Sequence, residues 1–149
     1  MTATDAAPTP AVLARRWFED MWNRRDRRLL EEIMAPDVVG WAEGGQIIGR
    51  EAWVAAAFET FLGTFPDLQL MVDGTVAEGN EVVVRWHASG THTGGALGLA
   101  PTGLKVRFRG MTWLRFVNGR LVEGADSWNQ AALVQALGCG RTIDSVQVA

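Results

Sequence analysis

The stretch LRFVNGRLVEGADSWN, Leu114–Asn129, decides how this chain reads. Asn118-Gly119 is the strongest short hairpin signal in the sequence, flanked on both sides by residues that favour strands. Before it runs one long strand, LKVRFRGMTWLRFV, Leu104–Val117, and after it RLVEGADSW returns alongside. In a plain two-residue hairpin Arg115 opposes Val122, Trp113 opposes Gly124 and Met111 opposes Asp126, and opposed residues share a face. A carboxylate, Asp126, therefore stands among small and aromatic residues where a core strand should be apolar.

Working outward, EVVVRWHASG, Glu81–Gly90, alternates with period two. Val82, Val84, Trp86 and Ala88 share one face, and Val83, Arg85, His87 and Ser89 share the other. Leu68, Leu70 and Val72 alternate in the same way before a turn at Glu78–Asn80, and a Gly-rich loop, THTGGALGLAPTG, joins the central strands. Earlier the apolar period is near four. Thr9 and Pro10 mark a helix start, a capping hydroxyl followed by a proline in the first turn. Leu13, Trp17 and Met21 then carry an apolar stripe to about Arg25. A short second helix holds Leu29, Leu30 and Ile33 and ends before the segment Ala35–Asp37, Val38–Trp41 reads as a short strand, and a third helix runs from about Arg50 to Thr64, where Pro66 stops it. A last helix with Leu133, Val134 and Leu137 ends at Gly138. Three helices ahead of a mostly antiparallel sheet give an α+β fold. A strongly curved sheet wrapped around a helix leaves a conical pocket, into which a carboxylate on an inner strand would point.

The 149 residues suit one domain, expected over 1–149 with 1–8 as a flexible lead and 140–149 as a tail. With 48% apolar residues, 21% charged residues and a formal charge of -3, the composition is that of an ordinary soluble domain. No basic face is available to reward nucleic acid or an anionic membrane. Arg24, Arg25, Arg27 and Arg28 are interrupted by Asp26 and read as a solvated corner between helices. The single cysteine, Cys139, has no internal disulfide partner and reads as an inert thiol in a reducing compartment. MTATDAAPTP lacks the pattern of a signal peptide, and no apolar run is long enough to span a bilayer, so the expected location is the cytoplasm.

There is no phosphate-binding fingerprint, nucleophile elbow or paired-histidine motif, and two histidines with one cysteine are too few for a zinc site. No metal is therefore expected, and acid–base chemistry is left. Asp126 is the first candidate, because burial among apolar groups raises a carboxyl pKa toward neutrality. The competing reading is structural: Asp126 pairs with Arg85 or Arg109, or caps the last helix. Arg85 and His87 share a strand face and form the second catalytic candidate pair, arginine fixing a charge and histidine moving a proton. Seven tryptophans and six phenylalanines with no tyrosine would line a pocket with flat apolar walls, which favours a planar aromatic ligand. Trp41, Trp113, Trp128, Met111, Thr112, Asn129 and His92, the last in GTHTG, complete the expected substrate contacts.

The segments FPDLQLMVDGTVAEGNEVVVRWHASGTHTG and LGLAPTGLKVRFRGMTWLRFVNGRLVEGADSWNQAALVQALG resemble the SnoaL-like polyketide cyclase family of the nuclear-transport-factor-2-like superfamily. WNRRD and APDVV fit the same resemblance, which covers most of the chain; its most specific parts are GTHTG, APTG, NGRLVE and QALG. It implies a cone-shaped α+β barrel, a homodimer, and no metal or organic cofactor. It also implies that Asp126, reached by counting back from QALG and forward from NGR, is the acid–base catalyst of an intramolecular aldol closure in aromatic polyketide antibiotic biosynthesis. Thr112 stands where those cyclases carry a second histidine, Asn129 where many relatives have a second aspartate, and Ala125 where tryptophan is common. The family count brings Thr112 into the pocket where the plain hairpin brings Met111; a β-bulge between Gly110 and Trp113 would reconcile the two. Related members resemble hydroxylases of anthracycline-type quinones or hydroquinones, with a separate reductase as a possible partner. Limonene epoxide hydrolase, a more distant relative, would be imitated by Arg85, His87 and Asp126, whereas ketosteroid isomerase chemistry needs a tyrosine that the chain lacks. A non-catalytic binding or dimer-forming module would instead have a shallow or filled pocket.

Overall fold

Helices form where the near-four period places them. In the computed structural model, which describes residues 6–138 and 143–146, the Thr9 hydroxyl accepts from the Val12 amide at 3.3 Å and starts helix α1. Helix α1 covers residues 10–22 and widens to π-type winding over Arg16–Trp22. Its buried stripe is Leu13, Ala14, Trp17, Phe18, Met21 and Trp22. Helix α2, Arg27–Ile33, is capped by the Asp26 carboxylate, which accepts from the Leu29 amide at 3.0 Å. Helix α3 covers residues 50–64, with a π-wound stretch at Val54–Phe58. Helix α4, Gln130–Gly138, follows the sheet. None of the described helices is long and apolar enough to cross a membrane.

The strands are β1 (Met34–Ala42), β2 (Gly45–Ile48), β3 (Gln69–Glu78), β4 (Glu81–Thr91), β5 (Lys105–Val117), β6 (Arg120–Ser127) and β7 (Ile143–Val146). They lie in the order β2-β1-β6-β5-β4-β3, with β7 beside β5. Only the β1–β6 and β5–β7 pairs are parallel. The expected α+β architecture is present, as a curved sheet that curls over the helices without closing. Three details differ from the sequence reading. β1 begins at Met34 and pairs with β2, whose four residues are too few to establish a period. The expected tail contains β7. Residues 1–5 of the expected flexible lead and Cys139 lie outside the described residues.

Period two divides the sheet into two faces. Val82, Val84, Trp86 and Ala88 of β4 and Val106, Phe108, Thr112, Leu114 and Phe116 of β5 are buried against the helices. Trp22 reaches Phe58 and Trp53 at ring separations of 5.4 and 5.8 Å, and Phe18 stacks on Trp86 at 6.2 Å. The charged positions of β4 and β5 take the outer face.

The central hairpin turns at Asn118-Gly119, both at positive φ, 51° and 75°. Its register is not the plain one. Phe116 pairs with Leu121, but Arg115 pairs with Glu123, so Val122 is an extra residue on β6. Thr112, not Met111, then opposes Asp126, Trp113 opposes Ala125, and Met111 opposes Ser127. The bulge lies beside the turn, and not between Gly110 and Trp113. The physical reason is parity: Leu121 is 2% exposed and pairs with buried Phe116. Residues 121 and 126 are an odd number apart, so strict alternation would turn Asp126 outward. One inserted residue returns it to the inner face.

The loop after β4 is seated on the end of α3, where the Gly94 amide donates to the Thr64 carbonyl at 3.1 Å. A Cβ on Gly94 would run into the backbone carbonyl of Gly63. Gly94→Ala is expected to destabilise by roughly 1–3 kcal/mol, the usual cost of overpacking, and to lower Tm by about 3–10 °C for a domain of this size. Gly74→Ala, with open space around its Cβ, serves as the control and should stay within about 0.5 kcal/mol. Thermal unfolding of both variants reads the difference.

Candidate active site

A tapering cavity separates α1 and α3 from the inner face of the sheet. Its outer part holds about 150 Å³ and its inner part about 80 Å³. Trp17, Trp53, Phe61, Thr112, Asp126 and Trp128 line both parts, which makes them one space with Asp126 at the junction. Phe18, Trp86 and Phe108 close the inner end, and Trp41 and Glu43 stand toward the outer one. Phe108 stacks on Trp128 at 5.0 Å, and Phe61 meets Trp128 at 5.6 Å. Gly110 is what lets the floor close: a Cβ there would come within 2.7 Å of both the Trp86 and the Trp128 side chains.

Asp126 has substantial accessible surface and lines both parts of the cavity. Apart from that opening, the carboxyl is enclosed by protein. Burial pushes its pKa up from the ordinary value, and the hydrogen bond from Thr112 pulls the other way with the smaller effect. The Thr112 hydroxyl donates to Asp126 Oδ1 at 2.6 Å, while Trp86 Nε1 donates to Thr112 Oγ1 at 3.0 Å. Oδ2 has no hydrogen-bond partner among the described residues. Among the described residues no arginine pairs with this carboxylate, and the cap of α4 is Asn129, whose Oδ1 accepts from the Ala132 amide at 2.9 Å. Neither structural role foreseen for Asp126 is the one it takes. A carboxyl of raised pKa facing an apolar cavity is equipped to accept and return a proton.

The other expected site residues divide by face. Thr112 and Trp128 belong to the cavity, and Trp41 stands at its rim, 46% exposed. Arg85 and His87 do not reach it. Trp86 points inward between them, so alternation turns both outward, and His87 Nδ1 lies 2.8 Å from Asp73 Oδ1. The expectation that these two act with Asp126 is corrected: the sheet stands between them, and with it goes the epoxide-hydrolase-like cluster. Met111 and Trp113 also face outward, Met111 being 52% exposed and Trp113 Nε1 donating to Glu81 Oε1 at 2.9 Å. Period two in β5 sets both on the face opposite Thr112 and Leu114, and the shifted register brings Thr112, not Met111, across from Asp126. His92 is fully buried in the loop, its Nδ1 2.9 Å from Thr102 Oγ1, and it organises that loop away from the cavity. Asn129 serves as a helix cap and does not line the cavity.

The sequence reading missed Trp17, Trp53 and Phe61 as cavity walls and Trp86 as a hydrogen-bonding partner. The inward face of β4 was legible, and it already put Trp86 on the core side. Among the described residues no three His, Cys, Asp or Glu side chains gather as a metal site requires.

The family model for SnoaL-like polyketide cyclases matches residues 12–137. The chain belongs to this family. Solved SnoaL-like relatives share the fold over nearly the whole chain. AclR from Streptomyces galilaeus, a candidate hydroxylase, is 33% identical with a TM-score of 0.76, over 87% of this chain and 81% of its own. A candidate SnoaL-like polyketide cyclase from Jannaschia sp. CCS1 is 26% identical with a TM-score of 0.77, over 90% of this chain and 96% of its own. IdmH from Streptomyces antibioticus, a candidate polyketide cyclase, is 26% identical with a TM-score of 0.76, over 88% of this chain and 99% of its own. Among curated proteins there is no significant match.

The buried carboxyl makes stability depend on pH in a definite sense. The Asp126 pKa is raised above its ordinary 3.8, so below that value the group is neutral in both folded and unfolded chains. As pH rises, the unfolded chain ionises first and the folded state loses stability until its own raised pKa is passed. Asp126→Asn removes this loss and keeps an acceptor for Thr112. Relative to the parent protein, the variant should be more stable at pH 8 than it is at pH 4. Parallel Tm–pH curves for the two proteins would contradict the burial assigned to this carboxyl.

Proposed function

We propose that this protein catalyses an intramolecular aldol ring closure on a polycyclic aromatic polyketide intermediate, with Asp126 as the acid–base group. The observation that carries the reading is one carboxyl, with no cationic partner among the described residues, set in the lining of a cavity walled by aromatic rings. Oδ2 takes a proton from a carbon flanked by carbonyl groups. The resulting enolate carbon bonds to a carbonyl carbon of the same molecule, and the oxygen that receives the electron pair takes the proton back from Asp126. The step is redox-neutral and returns the carboxylate. Trp17, Trp53, Phe61 and Trp128 hold the planar rings and exclude water, which keeps the carboxylate poorly solvated and basic.

A second reading is hydroxylation of an anthracycline- or anthraquinone-type substrate in antibiotic biosynthesis. It is favoured by the likeness to AclR and by a threonine, Thr112, in place of an imidazole opposite Asp126. Asp126 would then take a phenolic proton from a hydroquinone-type substrate. One atom of dioxygen enters the ring and the other leaves as water, with the two electrons coming from the reduced substrate or from a reductase that regenerates it.

Asp126→Asn is expected to lower turnover by about a hundredfold or more with the fold intact, as for a positioned acid–base group. Unchanged turnover would remove Asp126 from the chemistry in either reading. Turnover of anthraquinone-type substrates under ¹⁸O-labelled dioxygen separates the two, since ring closure leaves the product unlabelled and hydroxylation adds one labelled atom.

The same reading includes a homodimer formed through the outer face of the sheet. Val76, Val83, Trp113, Ala125 and Trp41 align across five strands in one row, and Val76 is 75% exposed. Arg85, Arg107 and Arg109 lie on one side of the row, and Glu78, Glu81 and Glu123 on the other. A two-fold axis along the row sets the net basic side of one copy over the net acidic side of its partner. Sedimentation should give a dimer for the native chain and a monomer for the Val76→Lys, Val83→Lys double variant; a monomeric native chain would overturn this assignment.

A further inference from the structure

We propose that Trp86 and Thr112 are positioning residues: together they hold Oδ1 of Asp126 and leave Oδ2 as the single proton-transfer atom. This deepens the reading of Asp126 above, and its catalytic meaning rests on that reading.

The inference follows from what each group is able to do. An indole N–H only donates. At 3.0 Å from Thr112 Oγ1 it uses one lone pair of that oxygen and fixes the hydroxyl as donor toward its other neighbour. That neighbour is Asp126 Oδ1, at 2.6 Å, the short distance of a hydroxyl bonded to a carboxylate. Each link runs in one direction, so Oδ1 is held as an acceptor. Oδ2 is the oxygen that no described residue holds.

The relay is also stiff. Thr112 is β-branched, 4% exposed, and fixed at χ1 by the pleat of β5. Trp86 is 5% exposed and packed against Phe18, Phe108 and Trp128 at ring separations of 6.1 to 6.2 Å. Gly110, one register step along β5 opposite Trp86, provides the room for its indole. Donation from Thr112 favours the ionised carboxylate, which opposes the effect of burial. Asp126 is thereby kept available as a base over a pH range in which an unassisted buried carboxyl would hold its proton.

Thr112→Val keeps the shape and removes the hydroxyl. The Asp126 pKa, read in the ligand-free protein from its ¹³C carboxyl resonance, should move up, and the acidic limb of the turnover–pH profile should move with it. Turnover at a pH below the displaced limb should fall about tenfold or more, the usual weight of a hydrogen bond to a charged group. Thr112→Ser should restore both. Trp86→Phe keeps a ring in the core and frees the hydroxyl, so it should shift the resonance in the same direction by a smaller amount. An Asp126 pKa unchanged in Thr112→Val overturns the relay, and should that variant not fold, an unchanged value in Trp86→Phe does so alone. The resonance requires no substrate, so the two proposals fail separately: a shifted pKa beside undiminished turnover in Asp126→Asn keeps the relay and removes the catalytic role.

Discussion

The extra residue at Val122 is the constraint on which the site depends. Leu121 must face inward to pair with Phe116 in the core, and Asp126, five positions later, must face inward to meet the cavity. A regular strand satisfies only one of these. With one bulged residue beside the turn, β6 satisfies both, and it gains a register in which Thr112 stands directly across from the carboxylate. Gly124 then falls opposite Leu114, where a larger side chain would crowd Leu114. The position of the carboxyl, its hydrogen bond and the cavity mouth thus have one cause.

The sheet then acts as a partition. Arg85, Arg107 and Arg109 occupy outward positions of β4 and β5, while the inward positions are aliphatic, aromatic or glycine apart from Thr112. An arginine beside Asp126 would have stabilised its ionised form and lowered its basicity. A neutral hydroxyl compensates only part of the cost of burial. The fold gives up stability at neutral pH to keep a carboxyl with raised proton affinity, a concession that functional sites make more readily than cores do.

Much of this was legible in the sequence, and the failures have specific causes. Period two in Glu81–Gly90 gave the faces of β4 correctly, and Thr9-Pro10 gave the start of α1. Asp126 stood out because a lone carboxyl in a strand of small and aromatic residues lacks an obvious structural use. Arg85 and His87 have the chemistry of a site, but alternation in β4 sets them on the face opposite Trp86. Met111 and Trp113 were misplaced by one residue, since a bulge leaves no local signature beyond an extra position. Trp17, Trp53 and Phe61 could not be separated from core residues: a helical stripe tells which way a side chain points, and not whether empty space lies in front of it. β2 and β7, four residues each, were too short to show a period.

The poverty of functional groups in the cavity is itself informative about substrate. Apart from Asp126 and the hydroxyl committed to it, the shared walls are Trp17, Trp53, Phe61 and Trp128 with small apolar residues. Glu43 and Gln130 line only the outer part, so around the junction Asp126 is the one titratable group among the lining residues. On the proposed readings both reacting partners arrive within the substrate, or as substrate and dioxygen. Ring closure meets this condition directly, because the enolate and the carbonyl belong to one chain and the cavity need only restrict their approach. Hydroxylation meets it when the substrate is already reduced. On either proposed reading the share of Asp126 is to remove one proton beside flat apolar walls, so the identity of the reaction is carried by the oxidation state of what enters.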